Sequence, residues 1–503
     1  MADEDRPETG EPGAGPSGGP AVDVVLPVYG PSPDLARCLG SIRAFTDLRR
    51  HRVVVVADGP LPESPARLVG ALEAFRPEGV LVLRRPERRG YVASTNAGMR
   101  ASDRDVVLLN SDTEVAEGWL ENLQAAACSA PGIASATPFS SNASLASLPF
   151  PFTANRVPSG HTVTSFARLV SERSARSRPR IPTGVGFCLY LRRDALADAG
   201  LFDEERFGLG YGEEVDLCLR LAARGWSHVL DDATYVWHRG SGSFGGETAG
   251  RARAAERLLA RRHPLFLPRL AEFMREDPLR AARERVLDAL RPPRARGSRP
   301  VPRVLHLAPA WQTRDEGGIA GRVRALVLEQ ATRGEVAACA ARGTVSPDEE
   351  DGCELWDSGV RVRFVDGAGN ADPAGLERFL DDVKPEIVHV HEPGGALGDV
   401  LRRVRRRGAP IVVHLHEDPP RGAGERSALR RAVEAARTRV ALDAHRYVAD
   451  SDAVLARWTD AGSLPGSAPV EVLPSGGAST HRDHAARRLE QVYSELLGSG
   501  GAS

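Results

Sequence analysis

Apolar runs that stop abruptly at polar residues divide the first half of the chain. Residues 21–29, 52–57, 80–83 and 106–109 are short, almost wholly apolar runs and read as buried strands. Between them, 33–48 carries Leu35, Leu39 and Ile42 at helical spacing, and 64–75 and 91–101 also read as helices. Strands that alternate with helices predict a mostly parallel sheet. Parallel strands end on one edge. The pattern puts Tyr29, Asp58 and the run Asn110-Ser111-Asp112 there.

The spacing then changes. A helix is predicted over 118–127, a long loop over 137–149, and a strand over 182–191 entered through Gly184 and Gly186. Glycines there let a ligand approach the backbone closely. Another helix starts near Glu214, with Leu217 and Leu221 facing the core, and a strand ends at His238 before a Gly/Ser loop. Residues 251–290 are rich in Arg and carry Leu258, Leu259, Leu265, Leu267, Leu270 and Phe273 at helical spacing, which predicts two or three helices. Residues 291–302 are Pro- and Arg-rich and read as a linker. A second α/β pattern follows. Strands are predicted at 304–308, 360–365, 386–390, 411–415, 446–449 and 470–473, with a Gly317-Gly318 turn before a helix at 319–333 and a last helix at 484–497. This is a doubly wound, Rossmann-like sheet.

The expected organisation is therefore a tail over 1–20, an α/β domain over 21–250, a helical extension over 251–290, the linker, a second α/β domain over 303–476, and a C-terminal helix and tail over 477–503. At 503 residues the chain is long enough for two or three cores. Its net charge of −1 gives no global field for nucleic acid. The six cysteines form no CxxC pair, which argues against a zinc framework and fits a reducing compartment. No apolar run approaches the length needed to span a bilayer, and the acidic Gly/Pro-rich start is unlike a signal peptide. A cytoplasmic protein is expected. The Arg excess over 251–290 reads first as a solvated helical face; the alternative is peripheral contact with an anionic membrane surface or a lipid-diphosphate acceptor.

Several residues have both a bland and a chemical reading. Asp112 either caps the next helix or holds a divalent metal at a strand end, where open α/β sheets bind ligands. Asp58 precedes Gly59 and is as much a turn residue as a ligand contact. Glu213 and Glu214 suit the positive end of a helix dipole. His389, His391, His414 and His416 alternate along two strands, so each pair shares a face. With no carboxylate shell in sight, a strand-end or acceptor-contacting role is favoured over a metal site.

The ordered pieces resemble a known family. They are Val-Leu-Pro-Val-Tyr (25–29), Val-Val-Ala-Asp-Gly (55–59), Arg-Gly-Tyr-Val-Ala-Ser-Thr-Asn-Ala-Gly (89–98), Leu-Leu-Asn-Ser-Asp-Thr (108–113), Gly-Leu-Phe-Asp-Glu (200–204), Gly-Glu-Glu-Val-Asp-Leu-Cys-Leu-Arg (212–220) and His-Arg-Gly-Ser-Gly-Ser-Phe (238–244). In this order the stretch 21–245 resembles the inverting family-two glycosyltransferases of GT-A fold, most of all the rhamnosyl- and galactofuranosyl-transferase-like branch. The resemblance implies a divalent cation, manganese or magnesium, held by Asp112 and completed by His238. It implies Glu214 as the catalytic base. It also implies donor contacts from Pro27, Tyr29, Asp58, Arg89, Gly90, Asn96, Asn110, Ser111 and Asp112, with Asp58 at the nucleotide base. The acceptor and sugar pocket is assigned to Asn142, Gly184, Gly186, Glu213, Asp216 and Trp237. Two positions depart from the family pattern: Asn110 replaces the first Asp of its Asp-x-Asp motif, and Glu214 replaces the usual Asp. The second half resembles the N-terminal, acceptor-side half of family-four glycosyltransferases of GT-B fold. Glu386-Ile-Val-His-Val-His391, Val412-Val-His-Leu-His416, Val448-Ala-Asp-Ser451 and Val472-Leu-Pro-Ser-Gly476 carry this likeness. With few residues after Gly476, the donor half of that fold is expected to be missing, so residues 1–300 are expected to carry the chemistry.

The implied reaction moves a sugar, with inversion, from a nucleoside-diphosphate donor to a glycan, lipid-linked or small-molecule acceptor, in the setting of cell-surface polysaccharide synthesis. The alternative is a catalytically silent carbohydrate-binding or scaffold protein. A nucleotidyltransferase is disfavoured by the Glu-Glu-x-Asp helix and the His238 segment.

Overall fold

The computed structural model describes residues 19–30, 32, 34–208, 210–240, 246–291, 302–308, 310–311, 318–341, 354–365, 373–391, 397–415, 446–449, 456, 470–473 and 479–498. The expected tail over 1–18, most of the linker over 292–301, His416, Gly317, and the Gly/Ser loop over 241–245 lie outside these. Two compact units emerge, one of residues 1–140 and 170–282, the other of 141–169 and 283–503.

In the first unit the alternating pattern folds as its periodicity predicts. The elements are β1 (Val22–Val28), α1 (Leu35–Phe45), β2 (Arg52–Ala57), α2 (Glu63–Phe75), β3 (Val80–Arg84), α3 (Gly90–Arg100) and β4 (Asp105–Leu109). Then follow β5 (Thr113–Glu114), α4 (Trp119–Ala127), β6 (Ile133–Ser140), α5 (Val163–Arg173), β7 (Arg180–Ile181), β8 (Cys188–Leu191), α6 (Arg193–Ala199), α7 (Glu204–Phe207), α8 (Glu213–Ala222), β9 (Ser227–His238), α9 (Gly246–Arg262), α10 (Phe266–Glu276) and α11 (Arg280–Leu290), of which the first part of α5 and most of α11 are grouped with the second unit. The sheet runs β3-β2-β1-β4-β8-β6-β9-β5, with β7 against β9. Its first four strands are parallel, and β8 joins β4 antiparallel. The result is a mixed sheet. Val25, Val54, Val56, Val92, Met99 and Leu108 belong to its core. A Cβ on Gly98 of α3 would lie 2.4 Å from a methyl of Val25, so α3 packs on β1 at glycine-only distance.

Two expectations are corrected here. Residues 137–140 are strand: they extend β6, paired parallel with β9. Pro138, which suggests a loop, is tolerated because the register shifts between Pro138 and Phe139. Conversely, the predicted strand 182–191 contracts to Cys188–Leu191. The amides of Gly184 and Val185 turn away from a ladder and donate to Cys218 Sγ (3.3 Å) and Thr137 Oγ1 (3.0 Å).

The second unit carries β10 (Val304–Ala308), α12 (Gly318–Ala331), β11 (Val336–Ala341), β12 (Glu354–Asp357), β13 (Val360–Val365), α13 (Pro373–Val383), β14 (Ile387–His391), α14 (Gly398–Arg405), β15 (Ile411–Leu415), β16 (Arg446–Ala449), β17 (Val470–Val472) and α15 (Ser479–Gly498). Its sheet order is β12-β13-β11-β10-β14-β15-β16-β17, parallel except for β12 against β13. The winding reverses between β10 and β14, the switch point of a doubly wound fold. Strands β11 and β12 carry no expectation from sequence. After Val336 the first is built of Ala and Cys in place of branched residues, and the second presents Glu354 and Asp357. Those carboxylates are buried because Arg361 and Arg363 bind Glu354, while Arg324 holds Asp357 at 2.7 and 3.1 Å.

Strand β12 also organises residues 141–169. Glu354 N donates to Ala154 O (2.9 Å), Arg156 N to Glu354 O (2.8 Å) and Ser159 N to Trp356 O (2.9 Å). Phe150 packs against Trp356, and the Arg361 guanidinium lies 4.0 Å from its ring centre. This segment is interrupted from its backbone and side-chain partners by any cut before β12. A chain ending at residue 300 is therefore expected to expose Phe150 and to aggregate on size-exclusion chromatography where the full chain does not. A monodisperse fragment with the full chain's thermal stability would contradict this.

Candidate functional site

The parallel half of the sheet brings Tyr29, Asp58 and Asn110–Asp112 to one edge, because β1 pairs in register with both β2 and β4. Pro27 lies inside β1, buried opposite Val56. Beyond β4 the chain turns at Ser111 and forms β5. Two pairs, Thr113 with His238 and Glu114 with Trp237, join β5 to the end of β9. This pairing sets His238 Nε2 3.5 Å from Asp112 Oδ1. Burial pushes the Asp112 carboxyl up, but the His238 imidazole and the backbone amides of Asp112 and Gly240 outweigh it, and the net shift is downward. Asp112 is thus held as a carboxylate.

The 3.5 Å separation suits two ligands of one small cation. Ligands roughly 2.1 Å from an ion at near-right angles stand about 3 Å apart. The donor set, one carboxylate oxygen and one imidazole nitrogen, suits manganese- or zinc-like ions. Asn110 Oδ1 is buried without a hydrogen-bond partner, while its backbone N donates to Phe187 O (2.8 Å).

The segment Gly186-Phe187 connects this pair to the acidic helix. The Phe187 ring stacks on His238, centroids 4.9 Å apart. A Cβ on Gly186 would lie 3.5 Å from Glu214 Cγ, so Gly186 is the close-approach position for Glu214. Tyr91 Oη donates to Gly186 O at 3.3 Å. Burial, then the charges of Glu213, Glu214 and Asp112, raise the Tyr91 pKa, which puts its hydroxyl in the field of all three. Gly184 differs: its Cβ would fall 2.3 Å from a Leu189 methyl, so that glycine serves packing.

Helix α8 begins after Gly212, whose φ of 87° is left-handed. Glu213 is 5% exposed, and its Oε2 has no hydrogen-bond partner. Burial, then the neighbouring Glu214 charge, holds Glu213 well above the usual carboxylate range. Burial also raises Glu214, against the pull of the amides at the helix start. Asp216, one turn on, is fully buried. It is bound by Arg220 (2.8 Å), Arg262 (2.9 Å) and His263 (2.9 Å). Arg262 closes α9 and His263 follows it, and Leu259 of the same helix packs within 3.0 Å of the position a Gly212 Cβ would take. The helical extension thereby fixes the acidic helix.

The remaining expected site residues have definite places. Both Asp58 oxygens accept backbone N–H groups at the start of α3, from Arg89 (2.8 Å) and Gly90 (3.0 Å). Asn96 is fully buried; its amide exchanges hydrogen bonds with Phe202 and donates to Glu204. Trp237 lies under the Arg37 guanidinium at 4.7 Å. Asn142 belongs to the segment grouped with the second unit. Tyr29 stays 52% exposed, with Arg88 5.7 Å from its ring centre. Burial, then the charges of Asp112 and Tyr211, raise the Tyr29 pKa, and Arg88 lowers it. Tyr91, Phe187, Arg88 and Tyr211 are thus site neighbours that carry no assignment from sequence. Tyr91 had a signal in its place within Arg89-Gly-Tyr. Phe187 had none, because its role depends on a stacking partner from a distant strand.

A buried carboxylate whose pKa is raised on folding costs stability as pH rises through the window from about 4.3 upward. Glu213→Gln removes that cost. It is expected to raise the Tm at pH 8 and to leave it nearly unchanged at pH 4, read by calorimetry. An equal shift at both pH values would refute the raised pKa.

Residues 23–200 match the family model described as glycosyl transferase family 2, and residues 317–476 match that described as glycosyl transferase 4-like domain. No curated protein matches the chain. Among solved structures, it is similar to GalNAc-T7 with UDP, GalNAc and Mn2+ at 16% identity, covering 43% of this chain and 43% of that one, with a TM-score of 0.35. It is similar to the mannosyltransferase PcManGT from Pyrobaculum calidifontis in complex with GDP-Man and Mn2+ at 17% identity, covering 55% and 76%, with a TM-score of 0.36. It is also similar to S. aureus TarS at 15% identity, covering 43% and 36%, with a TM-score of 0.31.

Proposed function

We propose, for a chain that carries a glycosyl transferase family 2 domain followed by a glycosyl transferase 4-like domain, that the first unit transfers a sugar from a nucleoside-diphosphate donor to an acceptor hydroxyl with inversion. The observation that carries this reading is the bridge made by Gly186 and Phe187. It joins a carboxylate–imidazole pair, Asp112 and His238, to a half-buried carboxylate, Glu214, at the start of α8.

In this reading the acceptor oxygen attacks the anomeric carbon from the face opposite the leaving group. The bond from that carbon to the diphosphate oxygen breaks as the new one forms. The acceptor proton passes to Glu214, whose raised pKa makes it a stronger base than an exposed carboxylate. Asp112 and His238 would hold a divalent cation, manganese in preference to magnesium given the imidazole, which when bound supplies charge neutralisation at the diphosphate. Tyr29 offers an exposed ring for the nucleotide base, steadied by Arg88. Asp58 supports the same subsite indirectly, by fixing the backbone of Arg89 and Gly90. Tyr91 and Glu213 flank Glu214. The acceptor is a glycan, lipid-linked or small-molecule hydroxyl.

The test is release of nucleoside diphosphate from a panel of nucleotide sugars with manganese present. Glu214→Gln is expected to lower kcat by about 10²–10⁴-fold while donor binding persists. Asp112→Asn is expected to abolish metal-dependent donor binding. No release and no nucleotide-diphosphate binding with any donor would overturn the enzyme reading; unchanged turnover in Glu214→Gln would overturn the base.

A further inference from the structure

The second unit buries four histidines on one face of its sheet. His306 on β10 stands in register with His389 on β14, and His391 on β14 with His414 on β15. Residues 389 and 391 share a face by the two-residue period of a strand, and parallel register pairs extend that face to both neighbours. The four side chains form a compact group across the switch point. His306 stacks on His391 (centroids 5.1 Å), His391 on His389 (4.3 Å), and His389 on His414 (5.2 Å). All are at most 1% exposed.

A sheet core normally fills such positions with Val, Ile or Leu. Nearby positions of the same strands, Val304, Ile387 and Val412, are of that kind and pack with α12 and α15. Four imidazoles in their place bring eight ring nitrogens into a region where each needs a partner. Part of the need is met within the group, since His306 Nδ1 and His391 Nε2 lie 2.8 Å apart. Part is met from α15, whose Tyr493 Oη lies 2.6 Å from His389 Nδ1.

We propose that His306, His389 and His391 bind a late first-row transition ion of the zinc class within the second unit. One nitrogen from each lies within 4.8 Å of the others. Three imidazole nitrogens about 2.0–2.1 Å from one ion stand roughly 3.3–3.5 Å apart, so small ring rotations close the set. Imidazole ligands select zinc, copper or nickel over magnesium or calcium. Tyr493 is the outer partner such a site needs: a hydrogen bond at His389 Nδ1 leaves Nε2 as the metal-facing nitrogen and fixes the ring. This ion is separate from the cation proposed for Asp112 and His238. Its role is to tie β10, β14 and α15 together at the point where the winding reverses.

The experiment uses the full-length chain carrying Asp112→Asn, stripped with a chelator and titrated with Co2+. The expected result is visible absorption of imidazole-ligated Co2+ that saturates at one ion per chain. Adding Tyr493→Phe is expected to weaken the affinity by about 10–100-fold, and adding His389→Gln to remove the bands. Absence of bands, or bands unchanged by both substitutions, overturns the proposal. Should His389→Gln not fold by circular dichroism, X-ray absorption of the Zn2+-loaded Asp112→Asn chain decides. A three-imidazole shell supports the site, and a shell of oxygen or sulfur ligands alone overturns it.

Discussion

Two residue pairs, Thr113 with His238 and Glu114 with Trp237, hold the first unit's candidate site in place. Strand β5 is only two residues long, too short to stand without support. Its ends are pinned on both sides. The Thr113 hydroxyl donates to Asn110 O (2.8 Å), the Val115 amide donates to Ser41 Oγ (3.1 Å), and Arg239 N donates to Asp112 O (3.0 Å). Asp34, 1% exposed, takes the Arg239 guanidinium through two hydrogen bonds, one of 3.0 Å. A short pairing thus fixes a carboxylate from one strand end against an imidazole from a strand more than a hundred residues later. Without it, Asp112 would be one exposed turn carboxylate among many.

Around that junction the structure commits polar groups unevenly. Asp58, Asn96 and Asp216 spend their capacity on the fold: one caps α3, one joins α3 to the 202–204 segment, and one is clamped by two arginines and a histidine. Glu213 and Asn110 keep a buried oxygen without a partner. A buried polar atom left unsatisfied costs on the order of 1–3 kcal/mol. The division separates residues whose polar atoms the fold takes up from those that keep one unbonded, although the motif order treats them alike. The helical extension belongs to the first group, since Arg262 and His263 reach back to Asp216. No described helix is long and apolar enough to cross a membrane.

The chain divides into units in a way that linear reading misses. Residues 141–169 follow β6 in sequence, yet their amides and the Phe150 ring are taken up by β12 and Arg361. Nothing local marks this. Up to the start of α5 the segment is rich in Ser, Ala and Pro, with no periodicity of its own, and its backbone there is taken up by an edge strand that itself looked too polar to predict. Glu354 reads as a surface residue until Arg361 and Arg363 arrive from the next strand.

The sequence by itself determined the strand–helix alternation of both α/β patterns, the shared edge bearing Tyr29, Asp58 and Asp112, the acidic start of α8 and the family to which the ordered motifs point. Periodicity and turn chemistry are local, so 22–28, 52–57, 80–84 and 105–109 fold within about a residue of their expected bounds. Only the tertiary structure decided which acids are spent on packing, that Gly186 approaches Glu214 while Gly184 approaches Leu189, and that Phe187 stacks on His238. It also decided that His306 joins His389 and His391, since the alternation within β14 shows one strand's face but not the neighbour that completes it. These outcomes depend on register between strands distant in the chain, where a shift of one residue turns every side chain to the other face.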